Sequence, residues 1–253
     1  MKRIFSFTLI FIAIGLSAFI ACKKNNTTSG GGSTTVPAVY QKIYGATDMY
    51  VDGNYIVIKT KDLPDHKSPY YQGTQWASTK YEAYNGTNPN YFSNNVAIQQ
   101  QSLTFRIPMN PSVNNNHSAT PLGPIGVSLN GVPFFNQYAG NGASLGPQEL
   151  NTFDQYNGHA TPMGGTYHYH AEPFWLTTNN GKTALLGFLL DGFPVYGPME
   201  NGNLITNSNL DAYHGHFGVT ADYPNGIYHY HITSADPYIN GSGFYGTPGT
   251  VTQ

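Results

Sequence analysis

Polar and apolar residues alternate in short runs along most of this chain, with a period of two and only rarely of three to four. Leu103, Phe105 and Ile107 take turns with Thr104 and Arg106, the pattern of a strand with one buried face. Met49 to Val51, then Asp52-Gly53, then Tyr55 to Ile58 predict a hairpin with its tight turn at Asp52-Gly53. The runs 125–135 and 186–196 each read as strand, Asn-Gly or Asp-Gly turn, strand. Helical patterning is confined to short stretches such as 147–153, and the Asn-rich segments 85–95 and 110–116 read as surface loops. Together these elements predict an all-β fold, a sandwich or barrel-like domain.

The N-terminus breaks the pattern. Lys2 and Arg3 precede an apolar run over 4–21, which reads as a secretory signal, with a single membrane anchor as the alternative. The run ends at Cys22, the only cysteine, and Phe19-Ile20-Ala21-Cys22 resembles the lipobox of bacterial lipoproteins, with Phe19 where Leu is usual. That resemblance implies a signal over 1–21, lipidation at Cys22 and a membrane-anchored domain outside the cytoplasm, in the bacterial cell envelope. Residues 22–35, with three consecutive glycines, form a flexible tether whose coil spans about 20 Å. By length, 36–253 is then a single domain.

Composition sharpens this. Only 9% of residues are charged, against 29 Gly, 17 Pro, 20 Tyr and 14 Phe, which excludes coiled coils, helical bundles and nucleic-acid binders. With 40% hydrophobic and 14% aromatic residues, a packed core is within reach. A lone cysteine leaves no thiol for a disulfide or a Cys-ligated metal. Charge is also uneven: beyond Arg106 one base, Lys182, stands against eight acids, a net −7 that attracts cations and repels phosphate backbones.

The chain also repeats itself. The run 125–135 aligns with 186–196 at an offset of 61, 153–159 with 210–216 at 57, and 165–170 with 226–231 again at 61. Two copies of one β unit, about 122–178 and 183–240, follow, with four extra residues inside 217–225 of the second; a pseudo-twofold would relate them.

Within this repeat lie seven of the nine histidines. Each copy offers an Asp, a His five residues later, then His-x-His: Asp154, His159, His168, His170, and Asp211, His216, His229, His231. On a strand, residues i and i+2 share a face, so each His-x-His pair points one way and its tyrosines point the other, into the core. Paired imidazoles suit a divalent transition metal, zinc or copper first and iron after them, with the third His and the Asp as further ligands or the Asp as an orienting acceptor. Neutral imidazole ligands would lose affinity below about pH 6. His214, present in the second copy only, and Asp191 are secondary candidates; His117, in an Asn-rich loop, is expected to be solvated.

The two Tyr-His-Tyr-His strings, with 191–198 between them, resemble the YHYH family of secreted bacterial proteins, as do Leu63-Pro64-Asp65-His66 and 123–134. The resemblance spans about 50–240 and implies one joint unit, with His66 as a further site residue. Gly241-x-Gly243-x-x-Gly246 has dinucleotide-binding spacing, but too few residues follow for the helix it needs, so no nucleotide is expected. The expectation is thus an envelope lipoprotein holding one or two metal ions, with or without catalysis on an unknown substrate. The alternative is a non-catalytic glycan- or protein-binding module, using Trp76, Trp175 or exposed tyrosines, whose His and Asp side chains are only structural.

Overall fold

Strand pairing around the duplicated hairpins organises the protein. The computed structural model describes residues 35–241 and 243–253; the proposed signal, Cys22 and the tether up to residue 34 lie outside them. In chain order the strands are β1 (Ala46–Asp52), β2 (Tyr55–Thr60), β3 (Leu103–Pro108), β4 (Pro124–Ser128), β5 (Pro133–Phe135), β6 (Gly158–Ala160) and β7 (Tyr167–Tyr169). There follow β8 (Leu185–Leu189), β9 (Pro194–Tyr196), β10 (Met199–Glu200), β11 (Asn203–Leu204), β12 (Gly215–Gly218), β13 (Ile227–His231) and β14 (Thr250–Thr252). Three short α-helices interrupt them, α1 (Ala77–Lys80), α2 (Pro147–Leu150) and α3 (Phe174–Asn180).

The fold is mostly β, as the alternation predicts. β1-β2-β3-β14 form one sheet, β10-β11 a small ribbon, and an eight-stranded sheet runs β12-β13-β9-β8-β4-β5-β7-β6. That order begins and ends on different strands, so this sheet is open and not a barrel. Leu103, Phe105 and Ile107 are fully buried while Thr104 and Arg106 are half-exposed, as the period of two requires. Ile56 and Phe105 of the smaller sheet share one core with Phe188, Tyr167 and Tyr230 of the larger. The first hairpin differs by one residue from expectation: Asp52 pairs with Tyr55, so the turn is Gly53-Asn54 and β1 continues through Asp52.

The repeat is visible as symmetry of the large sheet. Its first four strands in spatial order, β12-β13-β9-β8, mirror β6-β7-β5-β4, and the halves meet where β8 pairs antiparallel with β4. Backbones approach closely at that seam: a Cβ on Gly126 would lie 2.4 Å from the carbonyl oxygen of Phe188, and one on Gly187 2.2 Å from that of Val127. Only glycine fits there, at equivalent places in both copies. Each half then ends in a two-stranded pairing that carries histidines, β6·β7 and β12·β13.

Candidate metal centres

In both copies the Tyr-His-Tyr-His strand has its two faces filled by different chemistry. Tyr167 and Tyr169 are buried in the core, and their hydroxyls hold turns of the chain. The Tyr167 hydroxyl donates to Asp154 Oδ2 at 2.8 Å, and Asp154 Oδ1 accepts the backbone N–H groups of Tyr156 and Gly158. In the second copy the Tyr228 hydroxyl donates to Asp211 Oδ1 at 2.9 Å, which accepts from the N–H groups of Tyr213 and Gly215. The second tyrosine of each string reaches the hairpin turn: Tyr169 accepts from Asn130 Nδ2 at 3.1 Å, and Tyr230 donates to Asp191 Oδ2 at 2.6 Å. Asn130 and Asp191 are themselves 61 residues apart, the offset of the repeat.

The histidines face the other way. His159, directly opposite His168 in the β6·β7 register, is brought to the same spot as His170, and all three are at most 2% exposed. His216 sits opposite His229 in β12·β13 in the same fashion. A close approach makes this possible. Gly158 and Gly215, each just before the third histidine, lie so near the Tyr167 and Tyr228 rings that a Cβ would come within 2.3 and 2.5 Å of them.

Ring orientation is fixed by backbone carbonyls. His168 Nδ1 donates to the carbonyl of Thr166 at 3.0 Å and His229 Nδ1 to that of Ile227 at 3.0 Å. His170 Nδ1 donates to Asn136 O at 2.5 Å and His231 Nδ1 to Gly197 O at 2.8 Å, again equivalent partners 61 residues apart. His159 Nδ1 lies 2.8 Å from the Thr152 hydroxyl, which donates its own proton to the Glu149 carbonyl and so accepts from the ring. A carbonyl only accepts, so each of these rings carries its proton on Nδ1 and a lone pair on Nε2. Those lone pairs converge. His168 Nε2 and His170 Nε2 are 2.9 Å apart; in the second copy the His229 Nε2 lone pair lies 3.1 Å from His216 Nε2, and the buried Nε2 atoms of His159 and His231 have no hydrogen-bond partner among the described residues.

Among the described residues two groups therefore have metal-binding geometry: His159, His168 and His170, and Glu200, His216, His229 and His231, their ligand atoms within 4.8 Å of one another in each group. Glu200 Oε1 is 3.3 Å from His229 Nε2 and Oε2 is 3.3 Å from His216 Nε2. At the first group Glu149 Oε1 stands 3.5 Å from His159 Nε2. Donors about 3.3 Å apart are what bonds of 2.0–2.1 Å in a tetrahedron require. Burial drives the His159 and His168 rings well below the usual histidine range, with neighbouring rings adding to the effect, and holds His170 at about 4. Protonation is thus a poor way to relieve the facing lone pairs.

The two groups are separate. β7 and β13 lie five strand spacings apart in the large sheet, about 24 Å along it at the usual inter-strand distance. An ion held by one group could not be shared with the other, so each repeat carries its own candidate site.

Several residues singled out by sequence lie elsewhere. Asp154 and Asp211 belong to neither group; they hold the turns before β6 and β12, and their regular spacing to His159 and His216 reflects that turn. Asp191 is fully buried with Tyr230 and the N–H of Gly246, its carboxyl raised to about 6 by burial. His214 adopts φ +75° where Asn157 adopts +61°, a left-handed turn position that Asn and His tolerate, and its Nε2 meets Asn207 and Thr233. His66 lies on the tyrosine side of β7, 3.0 Å from the Tyr169 hydroxyl and packed on Tyr156, outside both groups. His117 is not simply solvated: it is half-buried and stacks on Tyr213 with ring centres 4.0 Å apart. Glu149 and Glu200 were missed, because they occupy unrelated positions in the two copies; apart from Glu172, they are the only glutamates beyond Arg106. The turn role of Asp154 predicts that Asp154→Asn lowers stability by about 1–3 kcal/mol in denaturant unfolding while the ion content stays unchanged.

An open, duplicated β fold with a histidine cluster in each half is the class these features define. The sequence profile of the YHYH protein family matches residues 104–206 and 199–243, and the chain belongs to that family. No curated protein and no solved structure gives a match.

Proposed function

We propose that this YHYH protein is a metal-binding lipoprotein of the bacterial cell envelope, anchored through Cys22 and holding two transition-metal ions, one in each repeat. The observation that carries the metal reading is the set of converging Nε2 lone pairs. Neutral rings with both Nδ1 protons tied to carbonyls repel one another at 2.9 Å, and a cation between them turns that repulsion into attraction for each lone pair. A carboxylate facing a ring lone pair, as Glu200 faces His229, is explained the same way. Three imidazoles, joined in the second group by Glu200, suit zinc, then copper or iron. When bound, such an ion supplies Lewis acidity, or redox chemistry if it is copper or iron. The chain's own part is to fix His159, His168, His170, His229 and His231 by their Nδ1–H bonds and to exclude water from their buried side. The lysine- and arginine-poor half around the sites supports a cationic ligand.

The non-catalytic binding module has less support, since both tryptophans are half-buried and already packed, Trp175 against His66 and Tyr156 and Trp76 against Tyr71. The test is elemental analysis of untagged protein after reconstitution with zinc, copper, iron or manganese. Two ions per chain are expected, falling to one in His168→Ala/His170→Ala and to one in His229→Ala/His231→Ala. Fewer than about 0.3 ion per chain with every metal would refute the reading.

A further inference from the structure

The two centres differ in their donors and in the cavities they face. Four protein side chains converge at the second, where Glu200 reaches two rings at 3.3 Å. At the first, three imidazoles converge, and Glu149 comes no nearer than 3.5 Å to one of them. Closed sets of four protein ligands mark structural ions, and sets of three leave a position for an exchangeable ligand.

A cavity of about 420 Å³ opens over the first centre, with His168, His170 and Glu149 in its wall. The rest of its lining is mainly apolar: Leu122, Phe135, Tyr138, Pro162 and Met163. Phe135 stacks on the His168 ring with centres 3.9 Å apart, so the apolar wall begins at the ligand itself. At the mouth, Leu122 is 54% and Met163 90% exposed, so the apolar lining of the cavity continues out to solvent. The corresponding cavity at the second centre, about 380 Å³, is more mixed: beside Met199, Val219 and Ala221 it carries hydroxyl and amide groups in Thr183, Tyr196, Asn201 and Thr220. Tyr196 stands where Phe135 stands in the first copy, and its hydroxyl is engaged with Thr220 and Asp222.

We propose that the first centre is a ligand site. It takes a small molecule that offers an oxygen donor to the ion, as a carbonyl, carboxylate or hydroxamate does, on an aromatic or branched apolar group seated against Phe135, Leu122 and Met163. The second centre, with its donors complete, takes none. This rests on the two-ion reading above, and the test separates the two.

Protein reconstituted with zinc is titrated calorimetrically with acetohydroxamate and with benzohydroxamate, its ion content measured before and after. One equivalent of each binds per chain, benzohydroxamate about tenfold tighter because its ring fills the apolar cavity. Binding survives His229→Ala/His231→Ala and is lost in His168→Ala/His170→Ala. Met163→Ser, at an exposed position where folding is not at stake, keeps both ions and acetohydroxamate binding but weakens benzohydroxamate several-fold. Two bound ions with hydroxamate at both centres, at neither, or at the second alone overturns this proposal and leaves the metal reading standing, as does equal affinity for the two hydroxamates. No bound ion overturns both.

Discussion

Chelation lowers the melting temperature of the metal-loaded protein by about 10–20 °C. An ion at a hundred times its dissociation constant adds about 2.7 kcal/mol per site to the folded state, and two sites add about 5 kcal/mol. For a domain of this size each kcal/mol is worth roughly 2–4 °C. Since the centres lie at opposite ends of the eight-stranded sheet, their contributions should add. His168→Ala/His170→Ala and His229→Ala/His231→Ala are each expected to retain about half of the chelator-sensitive shift, whatever they cost in intrinsic stability. The comparison is made within each variant, with and without chelator, by scanning calorimetry. If chelation leaves every melting temperature unchanged, the histidines are hydrogen-bonded packing and the metal reading fails.

That experiment targets the part of the site that was legible in the sequence. The period-two rule put His168 with His170 and His229 with His231, and the repeat added His159 and His216; the structure brings all six into the two groups. What the repeat obscured is equally instructive. Asp154 and Asp211 recur because a turn needs an acceptor for two N–H groups and a tyrosine hydroxyl, so recurrence marked architecture there and not ligation. The acids near the rings do not recur at all. Glu149 arrives from α2 and Glu200 from β10, and an argument that looks only for positions shared by the copies passes over both. The lesson concerns symmetry: duplication preserves what holds the fold, while the residues that make the two centres different must be those that broke it.

Acid provides the other large effect, and burial moves its window. Three ordinary imidazoles, each about 90% protonated one pH unit below 6.5, would weaken an ion about a thousandfold at pH 5.5. The rings of the first centre do not behave so. His170 is held at about 4, and His159 and His168 are pushed well below their usual range, because a charged ring there has lost its water. Protons therefore compete with the ion only as the pH approaches 4. The same shifts fix the sign for the ion-free protein. Between 6.5 and about 4 the unfolded chain binds protons that the folded rings refuse, so stability falls as pH falls, by about 3 kcal/mol for His170 alone. Asp191 works in the opposite sense, since its carboxyl is raised to about 6 and the folded state binds that proton first. Taking the difference between metal-loaded and metal-free protein at each pH removes that opposing contribution. In His216→Ala/His229→Ala, which keeps only the first centre, the ion-dependent rise in melting temperature should be flat from pH 7.5 to 5.5 and collapse between 5 and 4. A rise already halved at pH 6 would mean that the rings are hydrated and titrate as ordinary histidines, which their burial forbids.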